Sequence, residues 1–332
     1  MYGIQELKTS TSAEGLVECP VRGCKMQVPR MRKGGLNLSN KKSDLSEYYC
    51  DKHKIYISPT TFEYESELDN ILWKDDLDLN LWQSIKTAKR ESRIARENSE
   101  DALTWNVFRY LEKADLLDEY LSSISNESQT NSVPVYWSHD SETGKTWEPL
   151  YRAREEFGEV PSQGSEPDLI VQTDSTVFFI EAKFGASNRT PGSKKEVLQK
   201  ISNPKKYESG GSGWYDDIFN SSYEYIVSDH KYELLRFWLL GSWIAAILNK
   251  KYVLCNLVLS RSEQTITKDF GKHLYEDEGK VFIRSTWEDI YRQISSRSTD
   301  PADVRMLNYF KHKTLGYKIV AGEAKIRKAF SI

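Results

Sequence analysis

The chain has 332 residues, of which 39% are hydrophobic and 29% are charged, with 9 Trp, 19 Tyr and 12 Phe. This composition supplies the core of one large domain, or of a main domain with a small appendage, and it excludes a disordered chain. The net charge of −3 excludes a protein that is basic throughout but leaves local basic patches, and therefore nucleic-acid binding, open.

No segment of the sequence predicts export or a membrane crossing. The N-terminus lacks a basic stretch followed by an apolar run, so we expect no signal peptide. The longest apolar stretch, from Leu234 to Leu248, contains Arg236 and is shorter than a membrane span. We therefore expect a soluble, cytoplasmic protein without a membrane partner.

The first 60 residues form a predicted metal-binding module. Cys19 and Cys24 are separated by four residues, Cys50 and His53 by two, and the two pairs by 25. Two such pairs suit a tetrahedral structural Zn²⁺ site, which would close two turns onto each other, and the pattern resembles a zinc ribbon. The alternative is three free thiols and a surface histidine. Cys255 lies in an apolar run and is predicted to be a small buried hydrophobe.

Two basic segments are candidates for contact with phosphate groups. The first lies between the two ligand pairs and contains no acid; a solvated loop is its alternative. Its cations are Lys25, Arg30, Arg32, Lys33, Lys41 and Lys42. The second is a stripe on a helix predicted from Asp69 to Arg96, for which a solvated face is the preferred interpretation. Its cations are Lys86, Lys89, Arg90, Arg93 and Arg96.

The middle and end of the chain predict alternating helices and strands. A helix follows residue 99 with Ser99 as its N-cap, and Glu100 falls on its apolar stripe. An inward carboxylate at a helix start is either a dipole-stabilised structural group or a ligand. Strands are predicted at 133–138, 167–173, 176–184 and 252–260, a loop at 185–213, a buried helix at 230–251, and a mostly helical tail from 289. This order indicates an α/β fold with a mixed central sheet flanked by helices.

Three charged residues interrupt two of these strands. Asp168 begins one strand, and Glu181 and Lys183 lie two apart near the end of the next, so the last two share a face. A hairpin turn at Asp174 and Ser175 would bring the two carboxylates together. Two carboxylates suit Mg²⁺ or Mn²⁺, and Lys183 can orient or deprotonate a water or neutralise charge on a phosphate; Glu100 would supply a third carboxylate.

This arrangement resembles the PD-(D/E)XK, or restriction-endonuclease-like, nuclease superfamily. "EPD" at 166–168 followed by "EAK" at 181–183 is similar to its motif, and the resemblance covers about residues 96–260. It implies an αβββαβ core, a metal held by Asp168 and Glu181, a water assisted by Lys183, and an extra acidic residue at Glu100. The alternative is a structural Glu–Lys pair at a sheet edge.

The resemblance leaves two further positions open. Some members carry a glutamine on the helix after the second motif strand, and Gln199 and Glu233 are both candidates for that place. Arg236, in the buried helix, is either a phosphate-facing charge or half of a core salt bridge.

The sequence thus predicts a metal-dependent DNA endonuclease, in the role of a prokaryotic restriction or phage-defence enzyme. The expected domains are a zinc-ribbon-like module at 1–60, a helical linker at 61–98, and a nuclease-like domain with a helical extension at 99–332. Double-strand cutting would require a homodimer or a partner subunit. The alternatives are a nucleic-acid-binding or scaffold protein with this fold, and a nuclease for branched DNA or RNA.

Overall fold

A computed structural model of the protein describes residues 6–12, 15–29, 45–58, 60–88, 93–140, 145, 147–160, 166–202, 205–297 and 300–332. The strands are β1 Ser10–Ser12, β2 Leu16–Glu18, β3 Gln27–Pro29, β4 Tyr49–Cys50, β5 Ile55–Ile57, β6 Phe62–Tyr64, β7 Val133–Tyr136, β8 His139–Asp140, β9 Leu169–Gln172, β10 Thr176–Ala182, β11 Lys251–Val258, β12 Lys280–Thr286, β13 Thr314–Val320 and β14 Glu323–Lys328. The helices are α1 Asp76–Ala88, α2 Glu100–Lys113, α3 Leu117–Ser125, α4 Glu148–Glu156, α5 Lys194–Ile201, α6 Lys205–Ser209, α7 Trp214–Ile218, α8 Tyr223–Ser228, α9 Tyr232–Ile247, α10 Ile266–Gly271, α11 Trp287–Ser295 and α12 Pro301–His312.

The chain divides into two compact units. The first contains Met1–Asn80, Lys89–Lys113 and Glu288–Ile332, and the second contains Leu81–Ala88 and Ala114–Trp287. These units are divided differently from the predicted domains, because β14 pairs with β1 and joins the C-terminal extension to the N-terminal region. Among the described residues, no helix combines the length and the hydrophobicity that a membrane crossing requires.

The second unit is built on a six-stranded mixed sheet with the order β12-β11-β10-β9-β7-β8. The strands β7, β9 and β10 pair in antiparallel fashion, whereas β10, β11 and β12 are parallel. The strand β11 is buried almost throughout, as expected of a central strand that is covered on both faces. The predicted mixed sheet with flanking helices is therefore confirmed.

The helix α9 covers one face of this sheet. It is apolar on nearly all sides, and most of its residues are fully buried. Phe237 packs edge-on against Phe179 of β10, with ring centroids 6.5 Å apart. Gly241 leaves room for the ring of Tyr252 in β11, whose hydroxyl donates a hydrogen bond to the Phe237 carbonyl at 2.7 Å. These contacts fix the position of α9 along β10.

The first unit contains the helices α2 and α12 and, beside them, short hairpins around a small core. The strands β2 and β3 form one hairpin, β4, β5 and β6 form a second sheet, and β1, β14 and β13 form a third. The buried side chains of Val28, Ile55, Tyr317 and Ala324 belong to one core, so the three sheets share it. Gly316 is required where β13 approaches the chain at Thr60, because its φ is +93° and an added Cβ would lie 2.0 Å from the Thr60 carbonyl oxygen.

Three predicted segments differ from the structure. The helix predicted from Asp69 to Arg96 spans only Asp76–Ala88: residues 67–70 form a 3₁₀ turn capped by Ser66, and Arg93 and Arg96 lie beyond the helix. The tail predicted to be mostly helical ends in the hairpin β13–β14. The segment 185–213, predicted as a loop, contains α5, which begins with a capping box formed by Ser193 and Glu196.

Candidate active site and metal cluster

Asp168 and Glu181 face each other across the β9–β10 hairpin. The register pairs Leu169 with Ile180, so the next residues, Asp168 and Glu181, lie at the same end and on the same face of the sheet. Asp168 Oδ2 accepts a hydrogen bond from the Ala182 N–H at 2.9 Å. This bond fixes the Asp168 carboxylate against the partner strand.

Lys183 follows β10 directly and is held through its backbone. Its N–H donates to the Leu257 carbonyl at 2.8 Å, and its carbonyl accepts from the Trp287 indole N–H at 3.2 Å. Its ammonium group donates to Oε1 of Glu181. Only 11% of the Lys183 side chain is exposed, so the cation points into the site rather than into bulk solvent.

Glu233 is the residue that sequence reasoning left undecided. It lies in the first turn of α9, and its Oε2 is 4.0 Å from the Lys183 Nζ. Because Phe237, one turn later, packs against Phe179, Glu233 lies near the end of β10. Gln199, the other candidate, is exposed on α5. The periodicity of the sequence does not predict where α9 lies along β10, so only the structure distinguishes Glu233 from Gln199.

The electrostatics of this site favour a bound cation. Burial raises the pKa of Glu181 well above its ordinary value. The negative charges of Asp168 and Glu233 raise it further, and the ammonium group of Lys183 opposes this rise. Glu181 Oε2 is buried and, among the described residues, has no hydrogen-bond partner. A buried carboxylate oxygen without a donor is costly, so a positive ligand at this oxygen would be stabilising.

A divalent cation that prefers oxygen fits this donor set. Asp168 and Glu181 offer carboxylate oxygens at one end of a rigid hairpin, as Mg²⁺ or Mn²⁺ sites require. Glu100 belongs to the first unit, where it is the first residue of α2 behind Ser99, whose Oγ caps the helix by accepting from the Ala102 N–H at 3.1 Å. Its place among the metal ligands therefore stays a prediction.

A buried polar network lies beside this site on the sheet. Asn256 is the register partner of Glu181 on β11. Its Oδ1 accepts from Asn188 Nδ2 at 2.6 Å, and its Nδ2 donates to Glu263 Oε2 at 2.9 Å. The network ties the segment after Lys183 to the segment after β11. The sequence analysis missed it, although an asparagine within the apolar run "YVLCNLVLS" was a usable signal.

Arg236 belongs to the core rather than to the site. Its Nε and Nη2 both donate to the carboxylate of Glu159, the second at 2.6 Å, and 3% of its side chain is exposed. Tyr207 adds a hydrogen bond to the same carboxylate at 2.8 Å. The core salt bridge, one of the two predicted interpretations, is confirmed.

The first unit brings together the four N-terminal residues that the spacing paired. Cys19, Cys24, Cys50 and His53 place their ligand atoms within 4.8 Å of one another, and their cysteines form no disulfide. The Cys19 and Cys50 Sγ atoms lie 3.6 and 3.5 Å from the His53 Nδ1, and the Cys24 and Cys50 Sγ atoms lie 4.0 Å apart. A tetrahedral Zn²⁺ with bonds of about 2.3 Å to sulfur and about 2.0 Å to nitrogen requires edges of about 3.8 and about 3.5 Å.

Two tight turns support this cluster. Gly23 adopts a φ of +75°, which the turn before Cys24 requires. The Cys50 carbonyl accepts from the N–H groups of His53 and Lys54 at 3.1 and 2.8 Å. Burial lowers the pKa of His53, which favours the neutral imidazole that binds metals. The cluster can therefore bind zinc as a structural ion.

The predicted phosphate-binding segments are only partly described. Lys25 is exposed, whereas the remaining cations of the first segment, Arg30, Arg32, Lys33, Lys41 and Lys42, lie outside the described residues. In the helical stripe, Lys89 and Arg90 also lie outside them, and Lys86 is exposed. Arg96 pairs with the buried Glu63 at 2.8 Å, so it holds the fold of the first unit.

The chain matches no protein-family model, no curated protein and no solved structure.

Proposed function

We propose that the protein is a metal-dependent DNA endonuclease of the PD-(D/E)XK type. The observation that carries the proposal is the buried group of Asp168, Glu181 and Lys183, in which one Glu181 oxygen has no donor. A structural Glu–Lys pair requires neither the facing Asp168 nor the unpaired oxygen. The geometry therefore favours a binding site over the structural pair.

The order of elements in the second unit supports the same proposal. A helix, three strands, a long helix and a further strand occur in the order α3, β7, β9, β10, α9 and β11, with β8 and α4 inserted before β9 and α5 to α8 inserted before α9. The first three strands are antiparallel neighbours, and β11 is parallel to β10. This order is similar to the αβββαβ core that the motif resemblance implies.

Each residue has a distinct part in the proposed hydrolysis. Asp168 and Glu181 would hold the divalent cation, which when bound supplies electrostatic stabilisation of the scissile phosphate. The Lys183 ammonium group, which donates to Glu181, would orient the attacking water. The water oxygen adds to phosphorus and gives up a proton to solvent, one P–O ester bond breaks, and the departing oxygen takes a proton from solvent.

We further propose a structural role for the zinc cluster and a defence role for the reaction. The cluster would hold the fold of the first unit, because its three cysteine ligands lie in that unit's core. Restriction or phage defence is the role that the resemblance implies. A homodimer or a partner subunit would supply the second active site that double-strand cutting needs.

Cleavage of supercoiled plasmid tests the proposal. We expect nicking or linearisation by the full-length protein with Mg²⁺ or Mn²⁺, and at least 10²-fold less with Asp168→Ala or Lys183→Ala, on the order of the loss of a catalytic group. Asp174→Asn is the matched control. It alters a carboxylate in the turn of the same hairpin, where Thr130 and Asn131 bind it, so cleavage should persist.

Two results would count against this assignment. Cleavage that persisted in both site variants would show that Asp168 and Lys183 are not part of the active site. Plasmid binding without cleavage under every divalent cation would favour a nucleic-acid-binding protein. Cleavage of RNA or branched DNA in preference to the plasmid would move the enzyme to the alternative substrate class. Circular dichroism of each variant would establish that it is folded.

A further inference from the structure

The third sheet of the first unit presents a positively charged outer face. Tyr317 of β13 and Ala324 of β14 point inward and belong to the same core as the zinc cluster. Because side chains alternate along a strand, Lys318, Lys325 and Arg327 point outward, and all three are exposed. We call these three residues the basic face.

The arrangement of the basic face is unfavourable for the isolated protein. Lys318 and Lys325 are register partners on adjacent antiparallel strands, so two ammonium groups of like charge lie directly opposite each other. Neither forms an ion pair with any residue that the structure describes. Glu323 shares the face, but its carboxylate is bonded to the Ser10 hydroxyl on β1. A cross-strand pair of like charge that forms no ion pair with the described residues is a surface that attracts anionic ligands.

We propose that the basic face binds the phosphate backbone of double-stranded DNA; this deepens, and rests on, the proposed endonuclease function. Lys325 and Arg327 lie about 7 Å apart along one strand. One DNA strand advances about 3.4 Å per nucleotide, so the two cations can reach phosphates one or two nucleotides apart. Lys318 adds a third contact from the neighbouring strand.

The outward side chains of this sheet favour duplex over single-stranded nucleic acid. Besides the basic face they comprise Ser10, Ser12, Val320 and Glu323. Single-strand binding uses aromatic side chains on which bases stack, and these positions offer none. Beside the cations these positions offer two serine hydroxyls, one valine and one carboxylate, so we expect binding to the backbone without sequence preference.

A salt titration of DNA binding tests this surface. The full-length protein and a labelled duplex of about 20 base pairs, without added Mg²⁺, would be compared with Lys318→Gln/Lys325→Gln/Arg327→Gln by fluorescence anisotropy. Each phosphate contact contributes about 0.9 to the slope of log K against log[salt], so the triple variant should lose up to about 2.7 of that slope. At about 0.15 M salt this corresponds to a loss of up to about a hundredfold in affinity.

Two controls separate the basic face from general charge. Arg152→Gln/Lys268→Gln/Arg305→Gln removes three exposed cations from separate helices and should leave the slope unchanged. Glu323→Gln removes the acid of the same face and should tighten binding. An equal loss in the two triple variants, or an unchanged slope in the basic-face variant, would overturn the proposal.

The plasmid assay distinguishes this surface from the reaction. The wild type could cleave the plasmid while the basic-face variant keeps the salt slope of the wild type. That result would refute the proposed DNA-binding surface but not the proposed endonuclease. Binding that is lost in the variant, without cleavage under any condition, would support the surface and refute the endonuclease. Preference for single-stranded DNA or for RNA would overturn the assignment to duplex DNA.

Discussion

Two buried carboxylates in this protein differ in how their oxygens are satisfied. Both oxygens of Glu97 have donors in the first unit: the Thr314 N–H reaches one at 3.1 Å, and the Tyr64 hydroxyl reaches the other at 2.8 Å. Lys313 adds a buried ammonium group at 3.6 Å. Glu181 has one ammonium partner and a second oxygen with none among the described residues. Glu97 is therefore fully paired, whereas Glu181 is not, and this difference is the reason why we propose a ligand at Glu181.

His273 provides a test of stability against pH at the scale of single residues. It is fully buried, and its ring nitrogens lie 3.0 Å from the Ser221 Oγ and 3.0 Å from the Asp229 Oδ2. Burial lowers the pKa of His273, Asp229 opposes this, and the nearby cations Lys272 and Lys231 add to the lowering. The unfolded chain therefore binds more protons, so stability is intact above pH 6.5 and falls as the pH drops below it.

We expect His273→Gln to be less stable than the wild type at neutral pH but to lose less stability on acidification to about pH 5. Urea unfolding at a series of pH values would measure this difference. Ser221→Ala, which removes a hydrogen-bond partner and no titratable group, should lower stability and keep the pH dependence of the wild type. Parallel curves for the wild type and His273→Gln would contradict the prediction.

At the residue scale, the sequence predicts the hairpin carboxylates better than their surroundings. The alternation within two short apolar runs and a two-residue turn suffice to bring Asp168 and Glu181 together. Whether Glu233 and Asn256 lie near the site depends on where α9 and β11 lie along β10. No local sequence pattern encodes that position. Glu233 was therefore one of two candidates, and Asn256 was not identified.

At the scale of elements, the contact between α9 and β11 depends on a missing side chain. A Cβ at Gly241 would lie 2.2 Å from a ring carbon of Tyr252 and 2.3 Å from its hydroxyl oxygen. The ring is fully buried, so neither element can move away without opening the core. The same contact sets where the N-terminus of α9, and with it Glu233, lies over the sheet.

We expect Gly241→Ala to lower the free energy of unfolding by about 1–3 kcal/mol or more, because a well-packed core resists extra volume. Chemical denaturation would measure the loss, and Gly241→Ala with Tyr252→Leu should recover part of it. Gly271→Ala is the matched control. Its Cβ would meet only the Glu276 carboxylate at an ordinary 3.5 Å, and a loss as large as that of Gly241→Ala would contradict the packing argument.

At this scale, an element can be predicted from the sequence when the pattern that encodes it lies within its own residues. The buried helix α9 and the strand β11 follow from long apolar runs, and both are found where the sequence predicts them. The hairpin β13–β14 was missed because the tail also carries a helical pattern and its partner strand β1 lies at the other end of the sequence. The short helix α5 was missed because its segment is rich in polar residues and was therefore predicted as a loop, although it contains a capping box.

At the scale of the whole molecule, the two units depend on different sources of stability. The second has a large apolar core around α9, whereas the hairpins of the first pack around a smaller cluster that contains the Cys19, Cys24 and Cys50 side chains. Small cores often need a metal ion, and binding to the folded state alone stabilises it. The first unit should therefore be the one that responds to metal removal.

We expect about one zinc ion per chain, and we expect a strong chelator to lower the melting temperature and to expose the first unit to protease. Metal analysis, calorimetry and limited proteolysis would measure these effects. Cys50→Ser should lose the ion, whereas Cys255→Ala, which alters the cysteine of the second unit, should retain it. A metal-free protein with an unchanged melting temperature would contradict the prediction.

The pairing of β1 with β14 has a consequence for synthesis on the ribosome. Ser10 and Glu323 are hydrogen-bonded although 313 residues separate them in the sequence. Every residue of the second unit is translated between these two strands, so it can fold while β1 still has an open edge. The first unit is begun first and completed last, and metal capture by its N-terminal hairpins would protect the nascent chain in the interval.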